Sequence, residues 1–449
     1  MKRWIRGTVF GLGGLALAGL GLVWGSIDGE PAVEAPAPPS PEDASRARAL
    51  LDAFRARTEA TGPRPPLRVT TRDLNGLIAL AARARPDLRG RGAIRPDVPA
   101  LELGASVPTP FGGWWNVTVR VPPSDDGIRI GSVTVGALRL PGGWMVPLAA
   151  RAVDVVFATD LGTMATRAID RVALENDALV LGVGWSEAER RAVATGARRT
   201  LRAARFASGP DDVRAVLDAL AAGHATGRFD DGQFAPVLHR ALKTAIRSEA
   251  LEDTKGRAVE SMLFALAIAC GHVRFREIVG LDVPDAIAAT TGCGTTHLAG
   301  REDWRRHFAL SAGLHAASGR DAAFALGEVK ELLDADGGSG FSFDDLVADR
   351  AGIRYAERLL EAEPADWPIF ADRLRSGDDA VFPSIRGLPT GLSRAAFERD
   401  VQSVDSPRYD ALLQTIDARL DRVPFFASSG SGLPPHRGGG GGGAGGGGP

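Results

Sequence analysis

The sequence predicts an α+β protein: an N-terminal membrane helix, a small antiparallel-sheet domain with helices, and then a mostly α-helical bundle domain. Three observations predict it. An uncharged stretch runs from Gly7 to Ile27, long enough to span a bilayer at roughly 20 residues. Within 66–206, beyond Pro86, apolar residues alternate with polar ones at a period of two. From about 207 to 426 the period is helical almost throughout. With 449 residues the chain has ample material for a core.

Lys2, Arg3 and Arg6 precede the apolar stretch, and Asp28, Glu30 and Glu34 follow it. That asymmetry predicts an uncleaved signal anchor over 1–28, single-pass in the inner membrane, with the body in the periplasm. The inner membrane is then the expected partner, together with a lipid or an envelope protein. Residues 29–65 follow as a proline-rich linker (GEPAVEAPAPP) and a docking helix. That helix opens at Ser40-Pro41-Glu42-Asp43, with Ser40 as cap, Pro41 in the first turn and Leu50, Leu51 and Phe54 as its apolar stripe.

The α+β domain is expected over 66–206. Its first helix starts at Thr70 or Thr71 with Asp73 placed for a capping box, and Leu74, Leu77, Ile78 and Ala81 facing inward. Trp115, Val117, Val119 and Val121 then alternate with polar residues. Ile128, Ile130, Val133 and Val135 continue the pattern beyond an Asp125-Asp126-Gly127 turn signal. Further strands are expected near 150–157 and 172–184, and a helix at about 187–205.

The helical domain is expected over 207–426. Val213, Val216, Leu217 and Leu220 mark one helix, and the apolar run 258–270 is too short to span a bilayer and reads as a core helix. Further helices are expected near 301–317, 321–334, 343–360, 394–402 and 406–422. Residues 427–449 form a glycine-rich tail without apolar period, expected to be disordered.

The 53 basic and 55 acidic side chains leave a formal net charge of -2, which gives no support to a nucleic-acid partner. Only four lysines occur, Lys2, Lys243, Lys255 and Lys330. Cys270 and Cys293 are the only cysteines; they read as a disulfide pair, as free thiols, or with His272 and His297 as a zinc site.

The segment 300–352 concentrates ionisable residues at helical offsets. His307, Ser311 and His315 are spaced by four; Glu328 and Glu331 by three, with Asp334 following; Asp345 and Asp349 by four, on a helix that Ser342 caps. Three polar stripes converging in a bundle are the arrangement that binds a metal or activates water, which makes His307, Glu328, Glu331, Asp345 and Asp349 the candidate catalytic residues. Ordinary capping and solvated helix faces account for the same spacings. Residues 334–345 (DADGGSGFSFDD) also partly imitate a calcium loop.

The string HFxxSA…GExKELxD…GSGFSFxDLxADRAG resembles an uncharacterised family of proteobacterial envelope proteins. It is more distantly similar to VanZ-like and small-lipoprotein families with a spaced H…ExKE…D…D pattern. The matching residues are His307, Phe308, Ser311, Glu328, Lys330, Glu331, Asp334, Ser339, Phe341, Asp345 and Asp349, and the likeness extends over about 245–426. It implies location and fold rather than a reaction. The T-x-x-D-L-N opening at 70–75 is similar to small periplasmic lipoproteins, some of which bind lipids.

No HExxH, GxSxG or Walker motif is present. The leading expectation is therefore a membrane-anchored periplasmic protein with a structural, lipid-handling or interaction role and no cofactor. The alternative is a metal-assisted envelope hydrolase that uses the His/Glu/Asp cluster and a divalent metal.

Overall fold

The computed structural model describes residues 25–59, 65–95, 99–147, 150–151, 166, 169–184, 208–229, 231–252, 257–281 and 293–427. It shows a small antiparallel-sheet unit packed on a helical bundle. The membrane anchor requires correction. Among the described residues, no helix is long and apolar enough to cross a membrane. Residues 1–24 of the expected span lie outside them. The described end of the span belongs to the sheet unit: Gly25 O accepts from Ala137 N, and Asp28 pairs antiparallel with Trp114. Backbone groups committed to a sheet are not available to a lipid-embedded helix. The expected inner-membrane location, periplasmic body and membrane partner rested on that helix, which the described residues do not show.

From Asp28 the proline-rich segment crosses the sheet as a strap. Ala32 N donates to Asn116 Oδ1 at 2.8 Å, and Val33 N to Ser106 Oγ at 3.0 Å. Helix α1 (Pro41–Glu59) then begins where expected, with Ser40 and Asp43 exchanging hydrogen bonds. Its buried positions include Pro41 and Ala44 but not Leu51, which faces solvent.

Helix α2 (Thr71–Ala84) carries the expected Thr70–Asp73 capping box. It is held on two sides. Leu74 and Ile78 approach the sheet, Leu80 packs on the core of the bundle, and α1 lies alongside. A helix with two covered faces does not follow a single apolar stripe, which is why Leu77 and Ala81 are exposed.

Strands β2 (Arg89–Arg95), β3 (Ala100–Pro108), β4 (Trp114–Val121), β5 (Ser132–Val135) and β6 (Leu138–Pro141) form an antiparallel meander. A three-stranded sheet has the order β1-β8-β7, from β1 (Leu67–Thr70), β7 (Ile169–Glu175) and β8 (Ala178–Val183). Asn176, at φ 53°, makes the tight turn between β7 and β8. Leu101, Val121 and Val172 form the buried centre of the unit. Residues 128–130 are not a strand. Ser124 pairs with Val172, and Gly127 N donates to Asp170 O, so the Asp125-Asp126-Gly127 turn links the two sheets instead of closing a hairpin. Of the strand expected near 150–157, residues 150 and 151 are helical and the rest lies outside the described residues, as do the helix at 187–205 and the tail from 428.

The bundle comprises α3 (Pro210–Ala225), α4 (Ala235–Glu252), α5 (Arg257–Leu266), the short α6 (Phe275–Ile278), α7 (Glu302–Ser318), α8 (Arg320–Ala335), α9 (Phe343–Glu361), α10 (Trp367–Arg373), α11 (Arg394–Asp400) and α12 (Pro407–Leu420). Val213, Val216, Leu217 and Leu220 are buried, as are Val259 and every residue from Ser261 to Ile268, so that run is a core helix. The Cys270 and Cys293 sulfurs are bonded, with Cα atoms 4.9 Å apart, which removes the thiolates a zinc site would need. Helices α1 and α2 of the sheet unit rest on α8, and α8 in turn packs on α7 and α9.

Candidate metal centre

Helices α7, α8 and α9 approach closely because two glycines leave room. A Cβ on Gly352 of α9 would lie 2.1 Å from Phe308 O of α7. A Cβ on Gly327 of α8 would lie 2.5 Å from Asp349 Oδ2 of α9. This packing turns three polar stripes towards one point.

His307 stands at the centre. Its Nδ1 is 3.0 Å from Asp349 Oδ1, and the same oxygen accepts from Ser311 Oγ at 2.7 Å. Its Nε2 lies 3.5 Å from Asp345 Oδ2. Glu331, wholly buried, completes the group: one ligand atom each from His307, Glu331 and Asp345 lie within 4.8 Å of one another. Ser342 N donates to Glu331 Oε2 at 2.9 Å. Ser342 makes no side-chain cap to α9; its Oγ instead accepts from Gly391 N. The Oδ1 of Asp345 and the Oδ2 of Asp349 are buried without a hydrogen-bond partner.

Lys330 covers the solvent side. Its ammonium is 2.9 Å from Glu331 Oε1, 3.3 Å from Asp345 Oδ2 and 2.8 Å from Asp334 Oδ2. Its side chain is 41 % exposed, against 12 % for His307 and 8 % for Asp345.

The electrostatics follow from burial and mutual charge. Burial disfavours the imidazolium of His307, but the Asp349 and Asp345 carboxylates outweigh it and hold the group up at about 9. Burial pushes the Glu331 carboxyl up to about 8, against the pull of Lys330. Burial also raises Asp345, opposed by His307 and Lys330. The three donors are thus poorly solvated and close together, the condition under which a divalent cation gains most from replacing protons.

The arrangement is not a Ser-His-Asp triad. Ser311 and His307 both bond to Asp349, so the serine hydroxyl does not face the imidazole as a nucleophile would. Asp349 has the place of a carboxylate that orients a metal-ligating histidine through its second nitrogen, leaving Nε2 to coordinate.

Of the five candidate catalytic residues, the structure brings together His307, Glu331, Asp345 and Asp349. Glu328, one turn before Glu331, turns away. It accepts from Arg83 of α2 at 2.6 and 2.8 Å and from Tyr409 Oη of α12 at 2.6 Å. Burial raises Glu328, while Arg83 and Tyr409 pull it back. His315 also lies apart, and burial lowers it, against Glu357. In the calcium-like loop, the Asp334 carboxylate meets Lys330 and Ser339, and Asp336 lies 3.5 Å from Arg394, so these acids do not share a centre with Asp345. Lys330 and Ser311 complete the cluster. Ser311 is marked by its spacing of four from His307, whereas Lys330 enters the sequence reading only as a member of the ExKE string.

No protein-family model matches the chain, and neither a curated protein nor a solved structure matches it. The envelope-protein likeness of 245–426 therefore receives no support from known relatives, and the functional reading rests on the site.

Proposed function

We propose that the protein is a metal-dependent hydrolase whose cation is held by His307 Nε2, Glu331 and Asp345. The observation that carries this reading is the convergence of these three donors within 4.8 Å, from three helices, around buried carboxylate oxygens that lack partners. One imidazole and two carboxylates suit zinc or manganese, and three protein ligands leave a coordination position for substrate. A divalent cation there would supply Lewis acidity for activating water and polarising a carbonyl or phosphoryl oxygen. Asp349 orients His307, Ser311 fixes Asp349, and Ser342 N–H positions Glu331. The envelope-structural role expected from the sequence rested on the membrane helix and is replaced by this one.

The test is metal analysis of the purified full chain, followed by zinc and manganese titration after chelation and assay against chromogenic phosphate and carboxylate esters. The reading expects stoichiometric metal, with binding and hydrolysis lost together in His307→Ala and Asp345→Asn. Absence of binding by both metals to the folded, chelated protein refutes it. A second reading, a structural ion network without metal, is favoured by the Lys330 contacts and predicts that outcome.

A further inference from the structure

We propose that Lys330 is a resident cation that occupies the mouth of the cluster and is displaced when a divalent metal binds. The inference rests on the metal-site reading above and adds how the site is gated.

The ammonium of Lys330 touches two of the three intended ligands, Glu331 Oε1 at 2.9 Å and Asp345 Oδ2 at 3.3 Å. An ammonium is a compact point charge, and in this position it does the neutralising work a metal would do. Zinc sits about 2.0–2.2 Å from a carboxylate oxygen. An ammonium about 3 Å from the same oxygens then faces two positive charges at close range in a poorly solvated site, and it is expelled.

The structure supplies the place to which it moves. Asp334, on the next turn of α8, is already 2.8 Å from Lys330 Nζ and is outside the ligand set. Its carboxylate is partly exposed and steadied by Ser339 Oγ at 3.1 Å. Lys330 is also the most exposed member of the group, so its flexible stem can pivot outward without moving a helix. Metal binding exchanges an internal single charge for a double one. The lysine stays tethered at the rim, beside the cation, where it favours a substrate with a negatively charged group.

Two measurements test this. In the unaltered protein, amine acylation read by mass spectrometry reports Lys330 separately from the chain's other lysines, Lys2, Lys243 and Lys255. Saturating zinc is expected to raise labelling of Lys330 several-fold and to leave Lys243 unchanged. Isothermal titration of zinc into Lys330→Gln is expected to give binding tighter than the unaltered chain by at least about tenfold, while Lys330→Arg, which keeps the charge, stays near the unaltered affinity. Unchanged or reduced labelling with zinc bound, or equal or weaker zinc binding in Lys330→Gln, overturns the displacement and leaves the metal site standing. No zinc binding in either chain overturns both.

Discussion

Gly327→Ala gives the sharpest test of how the cluster is held. In an exposed helix interior this exchange stabilises by about 1 kcal/mol, through lost chain entropy in the unfolded state and better helix propensity. At Gly327 the new Cβ would lie 2.5 Å from Asp349 Oδ2 and 3.0 Å from its Cγ. A free carboxylate would rotate away, but this one is pinned, because its other oxygen holds both His307 and Ser311. Moving it weakens two hydrogen bonds at a charged group, each worth about 1.5–3 kcal/mol. Leaving it in place incurs an overpacking cost of about 1–3 kcal/mol. Either route outweighs the propensity gain, so the variant should be less stable by about 1–2 kcal/mol. Because the Asp349–His307 bond orients the proposed ligand, zinc affinity should fall about 10–100-fold. Urea unfolding and calorimetric titration measure the two effects. A variant that is about 1 kcal/mol more stable than the parent, with unchanged zinc binding, would show that α8 and α9 are not in contact here.

Arg83→Met leaves the wholly buried Glu328 without its cationic partner, and should lower stability by about 3–5 kcal/mol in urea, part of which Glu328→Gln restores in the double variant. A loss under about 1 kcal/mol would contradict the buried pairing. Zinc binding to the chelated protein should weaken as pH falls: His307 holds its proton up to about 9 and Glu331 up to about 8, and both must lose it to coordinate. Titrations at pH 7 in buffers of different ionisation heat should therefore show more than one proton released per zinc, and a release near zero would exclude these ligands. Cys270 and Cys293 are 23 positions apart, so Cys270→Ala/Cys293→Ala should cost about 3 kcal/mol in unfolding free energy on the loop-entropy argument, whereas a neutral result would mean that the unfolded chain is already compact there.

The helix spacing made most of the centre legible. His307 and Ser311 at a step of four, and Asp345 and Asp349 likewise, do share faces, and those faces meet. Glu328 and Glu331 show the limit of the same reasoning. Three positions on a helix leave an offset of about 60°, and between α2, α9 and α12 that offset selects different neighbours. Arg83 gives no sign in the sequence that it will reach Glu328. The Asp125-Asp126-Gly127 turn was recognisable as a turn, but local residues cannot say whether the chain continues into a hairpin or crosses to another sheet. The expected span runs too far at residues 25–27, where composition continues the apolar run while the bonds of Gly25 with Ala137 and of the adjoining Asp28 with Trp114 tie the chain to a sheet.

The ties between the sheet unit and the bundle also constrain the order of folding. Arg83 and Glu328 are separated by 245 residues, and Glu42 and Arg394, 2.9 Å apart, by 352. Contacts of such span close very large loops and are made slowly. During synthesis, α1 and α2 emerge long before α8, α11 and α12 exist to receive them, so two early helices must wait with a covered face exposed. Seating that face on the completed bundle is the step at which the molecule becomes a single cooperative unit, and a chain cut short before 394 would stop before reaching it.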